Sequence, residues 1–396
     1  MKRRLICLLL GAAALGVSAP VEAAPAALAD ASQSDNVQAL QHIPMWLANE
    51  IAFDGRRVYV NQYASGDDIG VHSFDLTRDG TLKRTGMLHC DGITDTAPLD
   101  EGLVAIGLQQ RGTRCNGPTP MVVGTSGGVQ IGDMSDPARP RLLGDLAVPG
   151  GVHTLTRYPG SNFVYTAMGG ADTFVAEGGI THIIDTSKRR TPKVAAVYQS
   201  PLNPGGCHDI LFERIGRKII GFCPGLGGTE IWDASDPLAP TPIGRMLLPA
   251  TQLPHQVAVS SDGKVAAISD EAYAVHACRG GAPLGALWFY DISDLSEPRL
   301  LGFYGPQRGL LPIGSLSGQS ISCTAHNFNF IPESRLIVVS WIGGGTNVID
   351  ISDPTNVEEV AHYRPDDAVA MSSYWYRGRI YVADFERGVE VLRLKL

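Results

Sequence analysis

One phrase recurs along this 396-residue chain and constrains its fold more than any other feature. Asp133-Met-Ser-Asp-Pro, Asp185-Thr-Ser, Asp233-Ala-Ser-Asp-Pro, Asp291-Ile-Ser-Asp and Asp350-Ile-Ser-Asp-Pro lie 48 to 59 residues apart, and a degenerate copy, Asp75-Leu-Thr, precedes them. Each copy closes an apolar, β-like run such as Trp288-Phe-Tyr-Asp-Ile and leads into another short run, such as Pro140-Arg-Leu-Leu-Gly or Pro298-Arg-Leu-Leu-Gly. Asp and Ser side chains accept backbone N–H groups in a turn, and Pro stiffens it. Two further strands fall between successive turns: Val257–Val259 and Val265–Ile268 flank a Ser-Ser-Asp-Gly hairpin signal, and Phe328–Ile331 and Leu336–Ser340 repeat the pattern around Pro332. Four short strands per unit of about 50 residues is the arithmetic of a β-propeller. The expectation is an all-β chain forming a seven-bladed β-propeller of four-stranded blades, with six or eight blades as the rival counts.

The ends of the chain fit a closed ring. The last unit offers only Ser373–Tyr376, Ile380–Ala383 and Val389–Leu394, without the outer strand that follows the turn elsewhere. The segment Val37-Gln-Ala-Leu-Gln-His-Ile-Pro resembles that missing strand, so the N-terminal strand is expected to join the last blade and remove an open edge. Ahead of it, Lys2, Arg3 and Arg4 precede the apolar run Leu5–Val17, and Val21 and Ala23 sit where a signal peptidase cuts. Residues 1–23 are read as a signal peptide, 24–36 as a flexible N-terminal segment and 37–396 as the propeller.

This reading places the protein in the periplasm or outside the cell. Cys7 lies within the apolar run rather than after a cleavage site, which argues against a lipid anchor, and no stretch reaches the ~20 apolar residues of a membrane span. The formal charge is −8; removing residues 1–23 takes away three basic groups and one acidic one, leaving about −10 with no basic run. Nucleic acid is therefore a poor partner. With 18% charged residues, 46 Gly and 26 Pro, neither a disordered chain nor a coiled coil fits.

The Ile-Asp-Ile-Ser-Asp-Pro turn resembles the LVIVD repeat family of bacterial propellers, over about residues 37 to 394. A local likeness links the same turn to the selenium-binding protein and methanethiol oxidase family, whose members are propellers linked to copper. These resemblances imply a fold; propellers serve as scaffolds, binders and enzymes alike.

When units are aligned on the Asp turn, the innermost strand of four consecutive units begins at or just after a histidine: His153, His208, His255 and His326. The matching place in the other units holds Asn49, Asp95 and Ser372. Innermost strands line the central channel, so four imidazoles are expected to converge at one mouth. Imidazole is a common ligand of Fe, Cu and Zn, and a divalent transition metal of this kind is the expected cofactor. Carotenoid-cleaving dioxygenases, which share no sequence with this chain, hold iron with four histidines in a comparable geometry. Asp209, Asp270, Glu271 and Asp384 lie at strand ends near this rim and are the candidates for general base or for orienting the imidazoles. A polar channel that binds only water, or a ligand site without metal, remains open as an alternative.

Six cysteines follow the leader. Their placement suggests Cys90 with Cys115, Cys207 with Cys223 and Cys278 with Cys323, all on the histidine-bearing face; thiolate ligation by Cys207 or Cys323 is the alternative. Long insertions at 108–127, 168–179, 271–285 and 304–322 crowd the same face. Arg111, Tyr273, His276 and Arg279 are the candidate substrate-binding residues within them; Arg114 and Arg308 are further possible anion contacts, although surface arginines are usually only solvated. The favoured function is a metal-dependent enzyme on a small organic substrate, an oxidoreductase or a lyase or hydrolase. The alternative is a non-catalytic propeller binding a partner protein or glycan on its loop-rich face, or a metal-binding protein without turnover.

Overall fold

Hydrophobicity in this chain is graded by strand position within each unit, and the grading follows from how the sheets pack. The computed structural model describes residues 32–63, 68–109, 115, 127–167, 180–203, 205–272, 283–306 and 323–395. Among them, regular structure is almost entirely β, with one short 3-10 turn at Asp100–Gly102. Five antiparallel four-stranded meanders follow one another, beginning at Ala48–Asp54, Ile93–Pro98, Thr154–Arg157, Leu211–Ile215 and Pro254–Val259. A nine-stranded sheet contains two more sets, beginning at Thr324–Phe330 and Ala370–Tyr376, joined by a single parallel pair between Asn327 and Ser372. The last set has three strands of its own, and Val37–Ile43 lies antiparallel on Gly388–Leu394 as the fourth. Ser32–Gln33, within the segment expected to be flexible, adds to the outer strand Glu358–Arg364.

The first strand of each set packs against the first strand of the next, and the final one, Ala370–Tyr376, returns to Ala48–Asp54. Every neighbouring pair of sets shares an apolar layer. Phe289 and Leu287 meet Trp341 and Val339, Tyr165 meets Phe212 and Trp232, and Val58 and Phe74 of the first set meet Tyr381 and Val391 of the last. Middle strands are covered on both faces, which is why Leu336–Ile342 reads as a nearly continuous apolar run. Outer strands such as Lys193–Gln199 are half solvated, here although Val194, Ala195, Ala196 and Val197 are apolar. Burying each large side chain in these layers contributes about 1.5–3 kcal/mol.

The repeated turn is two side-chain-capped turns in series. Asp133, Asp185, Asp233, Asp291 and Asp350 each accept the backbone N–H two residues on, from Ser135, Ser187, Ser235, Ser293 and Ser352. The second aspartate repeats the motif: Asp136, Asp236, Asp294 and Asp353 accept from Ala138, Leu238, Ser296 and Thr355. The glycine of Leu-Leu-Gly has a different task. Gly144 sits at a β-bulge, and a Cβ there would stand 2.5 Å from the carbonyl oxygen of Arg189 in the next set's turn. Gly302 meets Pro354 in the same way. Each turn thus wedges against the outer strand of the preceding set. At the junction of last and first sets, Gln41 bonds Leu82 through both its amide atoms, and Tyr381 Oη donates to Gly80 O.

Cys90–Cys115 and Cys207–Cys223 are disulfides. Cys323 is also disulfide-bonded; its expected partner, Cys278, lies outside the described residues. Among the described residues no helix is long and apolar enough to cross a membrane.

Candidate metal centre

Five of the first strands carry an irregularity at their entry, while Thr154–Arg157 and Leu211–Ile215 pair without one. Register slips occur between Ala48 and Glu50, Ile93 and Asp95, Pro254 and Val257, Ala325 and Phe328, and Ala370 and Ser372. A bulge lets successive residues leave the period-two alternation. The slips also refine the sequence alignment: the residues level with His255 and His326 are Asn49, Thr94 and Met371. Asp95 and Ser372 fall one position later, level with Glu50, Asp209, Gln256 and Asn327.

Side chains of the later tier stitch neighbouring sets together. Thr154 Oγ1 donates to His208 O, Ser372 Oγ to Asn49 O, and the Asp95 carboxylate accepts from Leu155 N at 2.7 Å. Burial pushes the Asp95 carboxyl up to about 7. Glu50, buried beside Asp95, is raised well above the usual carboxylate range; Asn327 Nδ2 donates both to it and to Tyr374 Oη.

All four histidines come together in one row. Ring centroids are 4.6 Å apart for His153 and His208, 4.0 Å for His208 and His255, and 4.2 Å for His255 and His326. Two carboxylates alternate with the last three rings. Asp209 lies 3.7 Å from His208 Nδ1 and 3.5 Å from His255 Nδ1, while Glu271 lies 3.5 Å from His255 Nε2 and 3.6 Å from His326 Nε2. At the ends, His153 Nδ1 is 3.2 Å from Gln109 Oε1, and His326 Nδ1 is 2.6 Å from Met371 O. A carbonyl oxygen only accepts, so His326 Nδ1 carries the proton.

These groups cannot all be charged at once. Burial and three imidazole neighbours hold His255 well below its usual value, and burial with His208 takes His153 down to about 3. Burial pulls His208 down as well, but the Asp209 carboxylate outweighs it and the net shift is upward; Asp209 is lowered in return, against its own burial. A neutral His255 has one N–H and faces a carboxylate from each nitrogen, so one of these approaches sets a bare lone pair against a carboxylate. A cation between them resolves that opposition. His208 Nδ1 and His255 Nδ1 are moreover buried with no hydrogen-bond partner.

Ligand atoms of His208, His255 and Glu271 all lie within 4.8 Å of one another. Neighbouring ligands on a tetrahedral ion with bonds of about 2.1 Å stand about 3.4 Å apart, so the three side chains must draw inward to close the set. The donors that converge are two imidazoles and a carboxylate; His326 and His153 flank them in the same row, each with Nδ1 against a neighbouring oxygen, Met371 O and Gln109 Oε1.

The other acidic candidates sit elsewhere. Asp270 accepts Thr251 Oγ1 and the N–H groups of Gln252, Leu253 and Gly285. Asp384 accepts from Val369, Glu386 and Arg387 N–H groups, and burial raises it to about 7. Both hold the chain where it enters a first strand. Arg111, Tyr273, His276 and Arg279, with Arg114 and Arg308, lie outside the described residues. Glu50, Gln256, Asn327 and Tyr374 were not anticipated; the available signal was a polar residue directly after Asn49, His255 and His326.

The LVIVD repeat profile matches residues 339–364, which span the end of Leu336–Ile342, the strand Gly345–Asp350, the turn after it and the outer strand Glu358–Arg364. No curated protein matches the chain. Among solved structures, the β-propeller domain of Myceliophteria thermophila Cps50 (Swd1) is similar at a TM-score of 0.59 and 10% identity, covering 91% of this chain and 100% of that one. The WD40 repeats of RRP9 align at 0.59 and 9% identity over 92% and 99%. A protein from Lactobacillus plantarum aligns at 0.58 and 13% identity over 86% and 94%. At these identities the likeness concerns fold alone. With its repeat at 339–364 and its sheets shared with these structures, the chain is an LVIVD-repeat β-propeller.

Proposed function

We propose that this protein is an exported, seven-bladed propeller, closed by its N-terminal strand, that binds a divalent transition metal at one mouth of its channel and acts there on a small organic substrate. The observation that carries the reading is His255, a buried imidazole flanked on both nitrogens by the carboxylates of Asp209 and Glu271. His208, His255 and Glu271 are the ligands. His326 lies beside the Glu271 carboxylate on its other side, and Asp209 orients His208 and His255. A bound Fe, Cu or Zn ion supplies Lewis acidity at an otherwise neutral pH. The Asp209 carboxylate, held below its usual range by the neighbouring imidazoles, favours cation entry. The leader-like residues 1–23 and the disulfides support export.

Titration with Co²⁺ tests the site. The wild type is expected to give one saturating visible absorption band, absent in His255→Ala and weakened in Glu271→Gln, with unchanged circular dichroism. An identical titration in His255→Ala overturns the assignment. A second reading, a propeller that docks a partner protein, is favoured by the outer strand Lys193–Gln199, whose Val197 is 60% exposed.

A further inference from the structure

The far ends of the first strands, away from the histidines, enclose a cavity of about 470 Å³, within the ~300–1,000 Å³ of small-molecule sites. Its walls are about as polar as apolar, with Phe53, Ile215, Phe330 and Tyr376 prominent among the apolar residues. Most of its polar side chains are already engaged. Gln256 donates to Tyr374 Oη and accepts from Phe328 N, Asn329 bonds Trp375 through both its amide atoms, and Ser260 is held by Asp262 and Val265. Such a lining offers few free groups to a ligand rich in hydroxyls.

Glu213 is the exception. It lies on the cavity wall, no cation pairs with it among the described residues, and its carboxyl meets only the backbone N–H of Arg214. Of the other charges nearby, Arg214 also lines the cavity and is exposed, Asp262 is paired with Arg335 at 2.7 Å, and Arg377 lies 5.5 Å over the Tyr376 ring at the rim. Phe53 stacks on Tyr376 at 4.2 Å, which fixes the aromatic wall.

We infer that this cavity is a second binding site, for an organic cation: a substituted ammonium group against Glu213, with an apolar body among Phe53, Ile215, Phe330 and Tyr376. A half-buried carboxylate without a counter-ion is stabilised by a cation that brings its own apolar surface, and aromatic walls favour the same ligand. The inference does not depend on the metal, because the residues concerned lie at the opposite end of the strands from His208, His255 and Glu271.

Calorimetric titration of the full protein with benzyltrimethylammonium, benzyl alcohol and benzoate tests it. The cation is expected to bind with one-to-one stoichiometry, about 10-fold or more tighter than the alcohol, and to weaken as salt is added, while benzoate does not bind. Glu213→Gln, checked for an unchanged melting temperature, should remove the advantage of the cation and leave the alcohol unaffected. His255→Ala should change none of these affinities. Equal affinity for cation and alcohol, no binding of the cation, or an unchanged preference in folded Glu213→Gln overturns the proposal. The comparison among the three probes needs no variant, so it decides even if Glu213→Gln does not fold.

Discussion

His255 is defined by what surrounds it: two imidazoles within stacking distance and a carboxylate toward each ring nitrogen. If a metal ion reconciles these groups, Asp209→Asn should weaken metal affinity about 10- to 100-fold without abolishing it, as orienting partners do; competition against a chromophoric chelator measures this. The turn aspartates carry a separate expectation. Hydrogen bonds from Lys218 and Ser235 hold Asp233 down to about 2, and Asp291 and Asp353 are lowered by their own turns. A carboxyl depressed in the folded state contributes stability above its unfolded value near 4 and loses it as pH falls through the folded value. The denaturant midpoint should therefore drop between about pH 4 and pH 2, and Asp233→Asn should lessen that drop. The histidine row was legible because four matching residues recur at one place in the repeat. Glu50 and Asn327 were not, because a period-two strand turns the residue after an inward one away, and only the bulge returns it to the channel.

At the scale of the strand and turn, the repeated phrase joins one sheet to the next. The Asp turns were readable from their residues, since a side chain capping an N–H two residues away is local chemistry. The purpose of Leu-Leu-Gly was not, because the carbonyl that excludes a side chain at Gly144 belongs to a different set, at Arg189. Gly144→Ala and Gly302→Ala should each cost about 1–3 kcal/mol, the range for forcing extra carbon into a packed contact, measured by denaturant unfolding. A cost no greater than that of an exposed-strand substitution would remove the interlock. Asp270 and Asp384 belong to this scale too. They looked like site residues because they lie at strand ends near the rim, yet their oxygens receive the backbone N–H groups that steer the chain into a first strand.

For the whole molecule, the contacts form a ring in which the last set meets the first through the layer containing Val58, Phe74, Tyr381 and Val391. The chain's N-terminal strand lies on its C-terminal one, so both ends are locked in one sheet. Removing residues 32–43 should expose the edge of Gly388–Leu394 and split unfolding into more than one transition, as followed by calorimetry; a single unshifted transition would mean that closure does not need this strand. The architecture was legible from the repeat because period, turn and strand count agree. The candidate metal site is a property of the assembled ring, since Glu271 follows a second strand and meets imidazoles from the fifth and sixth sets, with His208 of the fourth beside them. Metal content per chain, by elemental analysis of the purified protein, tests the account most directly. It predicts about one Fe, Cu or Zn per chain in the wild type, lost from His208→Ala and His255→Ala while both stay folded. A wild type without metal, even after reconstitution, would contradict it.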